Sequence, residues 1–562
     1  MVTRQKRIAL ISFDVEVAGS LSTFSYSIHK LQASLLTCPG LEDAEIRVIN
    51  RETSDPEALL EPLLEFQPTM IGASLYVWSL LPFRSLAEMY KQRHPEVPII
   101  AGGPSARKNV FDLPPYRSFQ QTVDAIVVGE GESVVRELAL HHQEPDWKST
   151  VSGLLVWSGD EWVSNGEAQR PQVDDYPSPY HLNTAPPGSG FIETFRGCPV
   201  TCSFCQWGGV SLGGVHSVEY LVEHLHGLKR AQVENVLFLD AAFNLSPRAF
   251  RNLAAADAEA EVLKDFTVFG HLYPTHVQDM HLELFAKMGR VHPAIGVQSF
   301  VPEVLERIGR TVDMQRFERV VGAIRDDYGV DVELIMGLPG DTPSSFRKTV
   351  EKAVEMADAV RIAFCMILPD ALLDRARPHD GIEFDHETFF MKSCAGWSEE
   401  DLAREWAWVN DVASQFYKQE NYGSWVGFRT SGDEGERQDR IPEVDRSPTV
   451  PAPTVERLRD AVNAASVDFQ LREMRVRHGK VLADLDGPIG DVVLEACVAE
   501  PDARFFLRRE GVDYSHSGDV GREGAEGLKR VIDTLHRDIR QLLADAAPSS
   551  EPALVQLGGK PS

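Results

Sequence analysis

Over the first 142 residues the apolar positions fall in short runs separated by longer amphipathic stretches. Arg7 to Phe13, Glu45 to Asn50, Thr69 to Leu75, Val97 to Ala101 and Asp124 to Val128 are β-branched or apolar and too short for helices, so each predicts a strand. Most of the intervening stretches carry apolar residues at helical spacing. Such alternation predicts a doubly wound, Rossmann-like parallel sheet, which binds ligands at the carboxyl ends of its strands. The loops expected there are Asp14 to Ser20, Ser74 to Ser79, Gly102-Gly103-Pro104-Ser105 and Gly129-Glu130-Gly131-Glu132. Their small residues let a ligand approach the backbone. None is a dinucleotide G-x-G-x-x-G after the first strand, and each alone reads equally as an ordinary turn.

The pattern changes over 143–189. Leu154 to Trp157 and Trp162-Val163 flank Ser158-Gly159-Asp160-Glu161, which predicts a hairpin, and the proline-rich Tyr176 to Tyr180 and Ala185 to Gly188 predict an extended linker. Over 190–370 the alternation returns with six strand candidates: Gly190 to Phe195, Asn235 to Asp240, Phe266 to His271, Ala294 to Ser299, Val330 to Met336 and Val360 to Ile367. Six βα units predict a partial (β/α)6 barrel with its chemistry at the strand carboxyl ends. The remainder, 371–545, reads as mainly helical: a tryptophan-rich helix spans Glu399 to Glu420, and Leu528, Val531, Ile532, Leu535, Ile539 and Leu542 share one helical face. A charged, proline-rich linker is expected over 431–453 and a disordered tail over 546–562. The chain shows no internal repeat.

Composition narrows the partners. No apolar run approaches the roughly 20 residues that cross a bilayer, which predicts no membrane partner. A formal charge of −28, from 56 basic and 84 acidic residues, argues against a nucleic-acid partner. There are seven cysteines in 562 residues, and the basic Met1 to Arg7 is followed by a strand-like run rather than a secretory core. Reduced thiols and a cytoplasmic location are therefore expected.

Three of those cysteines carry the most specific signal. Cys198, Cys202 and Cys205 form C-x3-C-x2-C immediately after the first barrel strand. Three thiolates suit a cubane iron-sulfur cluster with one iron open to substrate. Zinc is the other reading, although a structural zinc site wants a fourth ligand and the nearest histidine, His216, lies outside the run. An electron carrier would bring a fourth cysteine nearby, and Cys38, Cys365, Cys394 and Cys497 are remote in sequence.

The run Arg196 to Gly209 resembles the cluster loop of radical S-adenosylmethionine (SAM) enzymes. The resemblance implies that Cys198, Cys202 and Cys205 hold a 4Fe-4S cluster whose free iron is chelated by SAM. Gly72 to Trp78 and Val128 to Glu132 resemble the cobalamin-binding domain that precedes the barrel in the cobalamin-dependent, class B members. This implies cobalamin bound by Ser74, Tyr76, Trp78, Gly102, Gly103, Gly129 and Glu130. Other such domains present D-x-H-x-x-G after the first strand; here Asp14, Glu16 and Gly19 hold those spacings with glutamate in place of the histidine that ligates cobalt. The nearest histidine, His29, falls in a predicted helix. The resemblance thus implies cobalt without a protein imidazole, its lower face covered by the Leu75 to Trp78 loop.

In the barrel the resemblance places Asp240 and Asn244 at the SAM amino group, Gln298 and Ser299 at the ribose or methionine part, and Gly337 with Gly340 at adenine. Each singly also reads as a cap or a turn. Arg310 reads either as a partner of the SAM carboxylate or as a surface arginine. His271, Tyr273 and His276 follow the third strand and either face the substrate or sit in a loop, and no catalytic residue is assigned. Trp397, Trp406, Trp408 and Trp425 either line a pocket or belong to the core. The function implied is a methyltransferase acting on an unactivated carbon, or on phosphorus, of a small-molecule or peptide precursor in natural-product biosynthesis. A flavodoxin or ferredoxin would supply electrons. A non-methylating ring contraction, cyclisation or oxidation is the alternative.

Overall fold

The computed structural model describes residues 5–14, 25–168, 172–186, 188, 190–207, 214–310 and 312–430, together with strands between 470 and 517. It divides into two compact units, Met1–Gly432 and Asp433–Ser562.

The first sheet of the larger unit contains β1 (Arg7–Asp14), β2 (Glu45–Glu52), β3 (Met70–Ser74), β4 (Ile99–Gly102), β5 (Ala125–Val127), β6 (Leu154–Trp157) and β7 (Trp162–Ser164). Its order is β2-β1-β3-β4-β5-β6-β7, parallel through β5. Both faces of β1 are covered. Ala9, Ile11 and Phe13 enter one core while Ile8 and Leu10 enter the other, which is why the strand reads as a continuous apolar run. Winding reverses between β1 and β3, so the carboxyl ends there open a crevice. The expected hairpin forms, and it adds antiparallel to β5 as the edge of this sheet, so the first core runs on through Trp162.

The second sheet holds β8 (Gly190–Ile192), β11 (Asn235–Phe238), β12 (Thr267–His271), β13 (Arg290–Gln298), β14 (Asp331–Met336) and β15 (Ala359–Phe364), all parallel in that order. Between the first two lie β9 (Phe195–Arg196) and β10 (Gly214–Val215), an antiparallel pair that closes the base of the cysteine loop. A short pair, β16 (Glu383–Phe384) and β17 (Met391–Ser393), precedes β18 (Tyr417–Asn421) and β19 (Trp425–Arg429). The last two extend the sheet antiparallel from β15, so it ends at β8 on one side and β18 on the other, an open barrel. Helices cover its outside, and their starts were legible: Ser217, Ser246 and Thr342 each accept a first-turn amide and cap the helices Val218–Arg230, Pro247–Ala260 and Pro343–Met356. In β14, Val332, Leu334 and Met336 pack against this layer, leaving Asp331, Glu333 and Ile335 on the concave face.

Beyond residue 370 the described elements correct the expectation of a mainly helical region. They comprise the helices Leu372–Arg375 and Glu399–Ala413 and the strands from β16 onward. The smaller unit shows a five-stranded antiparallel meander: β20 (Gln470–Arg477), β21 (Lys480–Gly487), β22 (Gly490–Cys497), β23 (Arg504–Arg509) and β24 (Val512–Ser517). Its segments carry β-branched and aromatic pairs such as Val492-Val493 and Phe505-Phe506, which favour strands over the helices expected there. The helix expected around Leu528, the linker 431–453 and the tail 546–562 lie outside the described residues.

Candidate functional site

The cysteine loop leaves the first barrel strand on a fixed track. Buried Asp240, just past β11, accepts hydrogen bonds from the Thr194 amide (2.8 Å), the Thr194 hydroxyl (2.7 Å) and the Phe195 amide (3.2 Å). Burial pushes its carboxyl up to about 7 despite these donors. Further along, the Ser203 amide donates to the Ile308 carbonyl (2.8 Å) and Arg375 donates to the Cys202 carbonyl (3.0 Å). Gly309 has φ +71°, and a β-carbon there would stand 3.1 Å from the Thr201 carbonyl oxygen. The backbone is held from several sides, and no disulfide joins the three cysteines.

Cys198, Cys202 and Cys205 line a cavity of about 390 Å³ at the barrel mouth, together with Asp240, His271, Tyr273, Gln298, Arg310 and Glu333. Three thiols from a preorganised loop lining one half-open cavity fit a cubane with one open iron. Among the described residues no three His, Cys, Asp or Glu side chains converge on a single ion, as zinc would require; a cubane takes each thiolate at a different iron.

The other residues expected at SAM divide. Gln298 lines the cavity at the end of β13, where a bulge follows Gly296 and the glutamine backbone takes φ +71°. A positive φ at a non-glycine residue is strained, and such strain concentrates at functional sites. Asn244 is fully buried in a reciprocal pair with the Tyr273 backbone (2.8 Å each way) and does not line the cavity, so its role is to fix Tyr273. Buried Ser299 accepts from the Val301 amide (3.1 Å) in a local turn. Gly337 (φ +88°) packs beside Leu402 and Cys365, and Gly340 beside Arg307, away from the cavity lining.

Arg310 is not a surface arginine. It donates to the Gly296 carbonyl, places Nη1 3.7 Å from the Cys202 sulfur and holds its guanidinium 5.0 Å over the Tyr273 ring. Its Nε is buried with no hydrogen-bond partner. A cation with a spare donor beside the thiols suits an anionic group such as the SAM carboxylate.

Sequence reasoning missed Glu333. His271 Nε2 lies 3.0 Å from one of its oxygens and Arg361 Nη1 2.9 Å from the other. Burial alone would raise the Glu333 carboxyl, but His271 and Arg361 hold it at about 2; Glu333 in turn raises the His271 imidazole. The signal was Asp331-Val332-Glu333, acids alternating on one face of an otherwise apolar strand. Trp207 also lines the cavity and was missed. His276 and the four candidate tryptophans are absent from the lining; Trp397 is buried, and Trp406 and Trp408 pack on the barrel core.

At the carboxyl ends of β3, β4 and β5 the glycine loops come together. Gly103 (φ +90°) packs against the Leu75 backbone, whereas Gly129 (φ +82°) meets nothing within 4 Å. The Tyr76 and Trp78 rings stack at 4.6 Å, and the Ser74 and Ser27 hydroxyls are 3.3 Å apart. Six large apolar residues are strongly exposed among those described, and three of them stand on these loops or the cysteine loop: Trp78, Val128 and Trp207. Uncovered apolar groups on ligand-binding loops fit a broad ligand with an apolar ring face, as the corrin of cobalamin has. Glu130 pairs with Arg196 at 2.8 Å. Asp14 ends β1 with its carboxyl raised by burial to about 6, while Glu16 and Gly19 lie outside the described residues. His29 sits in the helix Tyr26–Leu36 with Nδ1 on the Ser25 carbonyl (2.9 Å).

Comparison with known proteins agrees with both halves. The B12 binding domain family model matches residues 21–139, and that of the Radical SAM superfamily matches 192–353. The chain joins a B12-binding domain to a radical SAM domain. Its cofactors are accordingly a 4Fe-4S cluster, SAM and cobalamin. It is 29% identical over 388 residues to the cobalamin-dependent radical SAM methyltransferase TokK of Streptomyces tokunonensis, covering 62% of this chain and 55% of the relative. It is 29% identical over 341 residues to the 2-(S-pantetheinyl)-carbapenam-3-carboxylate methyltransferase of Streptantibioticus cattleyicolor, covering 54% and 48%. The chain thus spans about half the length of these relatives. The radical SAM methyltransferase TsrM of Kitasatospora setae, solved with tryptophan and a SAM analogue, shares the fold: TM-score 0.55, 18% identity, 72% of this chain and 89% of that one. No helix among the described residues is long and apolar enough to cross a membrane.

Proposed function

We propose that this chain is a cobalamin-dependent radical SAM methyltransferase that methylates an unactivated carbon, or phosphorus, of a small-molecule or peptide precursor in natural-product biosynthesis. The observation that carries the reading is the cysteine loop: three cysteines lining one cavity at the mouth of an open barrel, set directly against the glycine loops of a B12-binding domain. When bound, the cluster with SAM supplies a reductively generated radical for hydrogen abstraction and cobalamin supplies a methyl carrier. The chain's own residues bind and orient. Cys198, Cys202 and Cys205 would hold the cluster, Arg310 would meet the SAM carboxylate, Gln298 would reach its sugar or amino-acid part, and Asp240 keeps the loop in place. Tyr76, Trp78, Gly103 and Gly129 would face cobalamin. Named methyltransferases among the relatives support methyl transfer over a non-methylating rearrangement. A flavodoxin or ferredoxin is the fitting electron donor, and a reduced, cytoplasmic setting suits cysteines that form no disulfide.

Anaerobic reconstitution followed by metal analysis tests the reading. About four irons and one cobalt per chain are expected; zinc without cobalt would end it. Products then separate the two chemistries. Methyl transfer yields S-adenosylhomocysteine together with deoxyadenosine, whereas the alternative yields deoxyadenosine alone.

A further inference from the structure

We propose that Arg196 and Gln206 clamp the cysteine loop, one at each end, to the glycine loops of the B12-binding domain, and are positioning residues that set the separation of the two cofactors. The proposal rests on the reading that the chain holds both cobalamin and the cluster. Arg196 precedes the first cysteine by two residues. Its Nη1 meets Glu130 at 2.8 Å, on the loop after β5, and its Nη2 meets Glu132 at 2.5 Å, in the first turn of the helix Gly131–His141 that follows, while its Nε meets Glu193 at 2.9 Å. Its side chain and that of Glu132 are only 15% and 7% exposed, so this charge pair is largely removed from water and geometrically demanding.

Gln206 follows the third cysteine directly. Its Nε2 donates to the Pro104 carbonyl (3.2 Å), in the loop after β4, and to the Pro369 carbonyl (3.1 Å). The segment at Pro369 is itself fixed on both sides: Arg107 pairs with Asp370 (2.7 Å), and Arg375 donates to the Cys202 carbonyl. The loop after β5 is thus tied to the start of the cysteine loop and the loop after β4 to its end. Neither Arg196 nor Gln206 lines the cavity. Their contacts run between two cofactor-bearing loops, and this is a geometry that a merely local structural role does not need. Two cofactors that act in turn on one substrate tolerate little displacement, since about 1 Å of misplacement can lower a rate on the order of 100-fold.

The test uses the full chain reconstituted with cluster and cobalamin, reading the dipolar coupling between cob(II)alamin and the reduced cluster by pulsed electron paramagnetic resonance. Wild type should give a narrow distance distribution. Glu130→Gln combined with Gln206→Leu should keep the iron and cobalt contents yet widen that distribution about twofold, as a displacement on the order of 1 Å implies. Glu130→Asp should restore much of the narrow distribution. Should the double variant fold poorly, Arg196→Lys, which keeps the charge and loses the planar fork, must show the same broadening. Full cofactor content with an unchanged distribution would overturn the clamp alone. A wild-type chain that takes up no cobalt would instead overturn the cofactor reading.

Discussion

Gly103 and Gly129 both hold positive φ at the carboxyl ends of neighbouring strands, yet substituting them should have very different consequences. In either place alanine is forced into the left-handed region, which costs about 1–2 kcal/mol. At Gly129 the new β-carbon meets nothing within 4 Å, so the conformational term is the whole effect. At Gly103 the β-carbon would stand 2.8 Å from both the nitrogen and the oxygen of Leu75 and 3.2 Å from the Ser74 hydroxyl. Those backbone atoms cannot retreat freely, because the Leu75 amide donates to the Gly102 carbonyl (2.8 Å) and its carbonyl accepts from the Ser105 amide (3.0 Å). Relieving the clash means weakening one of these bonds, about 1 kcal/mol net, or straining packed neighbours, about 1–3 kcal/mol. Gly103→Ala should therefore lose about 2–5 kcal/mol in all. Urea unfolding of both variants beside wild type, followed by circular dichroism, measures the difference. A further step separates stability from binding: Gly129→Leu should keep the urea midpoint near that of Gly129→Ala while lowering cobalamin retained after gel filtration, because the side chain projects into the space left for the ligand. Equal destabilisation by Gly103→Ala and Gly129→Ala would refute the reasoning.

Three other outcomes follow from the site. Alanine at Cys198, Cys202 or Cys205 should abolish deoxyadenosine formation and lower bound iron, whereas Cys38→Ala, in the other domain's core, should leave both intact; product chromatography and iron analysis read this. Asp240→Ala removes the acceptor of three hydrogen bonds at the root of the cysteine loop, so it should lower cluster content as well as stability, by about 1–3 kcal/mol for the buried donors left unpaired. Glu333→Gln should alter the pH dependence of stability. His271 is raised above its ordinary 6.5, so its pairing contributes fully below that pH and fades as pH rises through the higher folded value. Glu333 is held at about 2 against an ordinary 4.5, so its contribution is present above 4.5 and is lost as pH falls toward 2. The stability gap between wild type and variant should accordingly be widest between these limits, close at the acid end, and narrow at the alkaline end to what the Arg361 pairing retains, as urea midpoints across pH would show; a gap independent of pH would rule out the ion pair.

Much of the architecture could be read along the chain, because the features concerned are local. Strand length, helical spacing, the serine and threonine caps and C-x3-C-x2-C all reside in consecutive residues, and backbone geometry alone turns them into βα units with three thiols on one loop. The meander of β20 to β24 had local signals too, in β-branched and aromatic pairs such as Val492-Val493 and Phe505-Phe506, though the helical reading of the flanking segment obscured them. What the tertiary structure decided was partnership. Asp240 became the anchor of the cysteine loop only through residues 45 and 46 positions away, and Glu130 met Arg196 from 66 positions away. Arg310 moved from the surface to the thiols because Gly296 and Tyr273 stand beside it across the barrel. Glu333 gained its meaning from His271 and Arg361 on the strands β12 and β15. Charges and hydrogen bonds act over a few ångströms of space rather than a few residues of chain, so one sequence names the chemistry while only the folded sheet determines which groups perform it together.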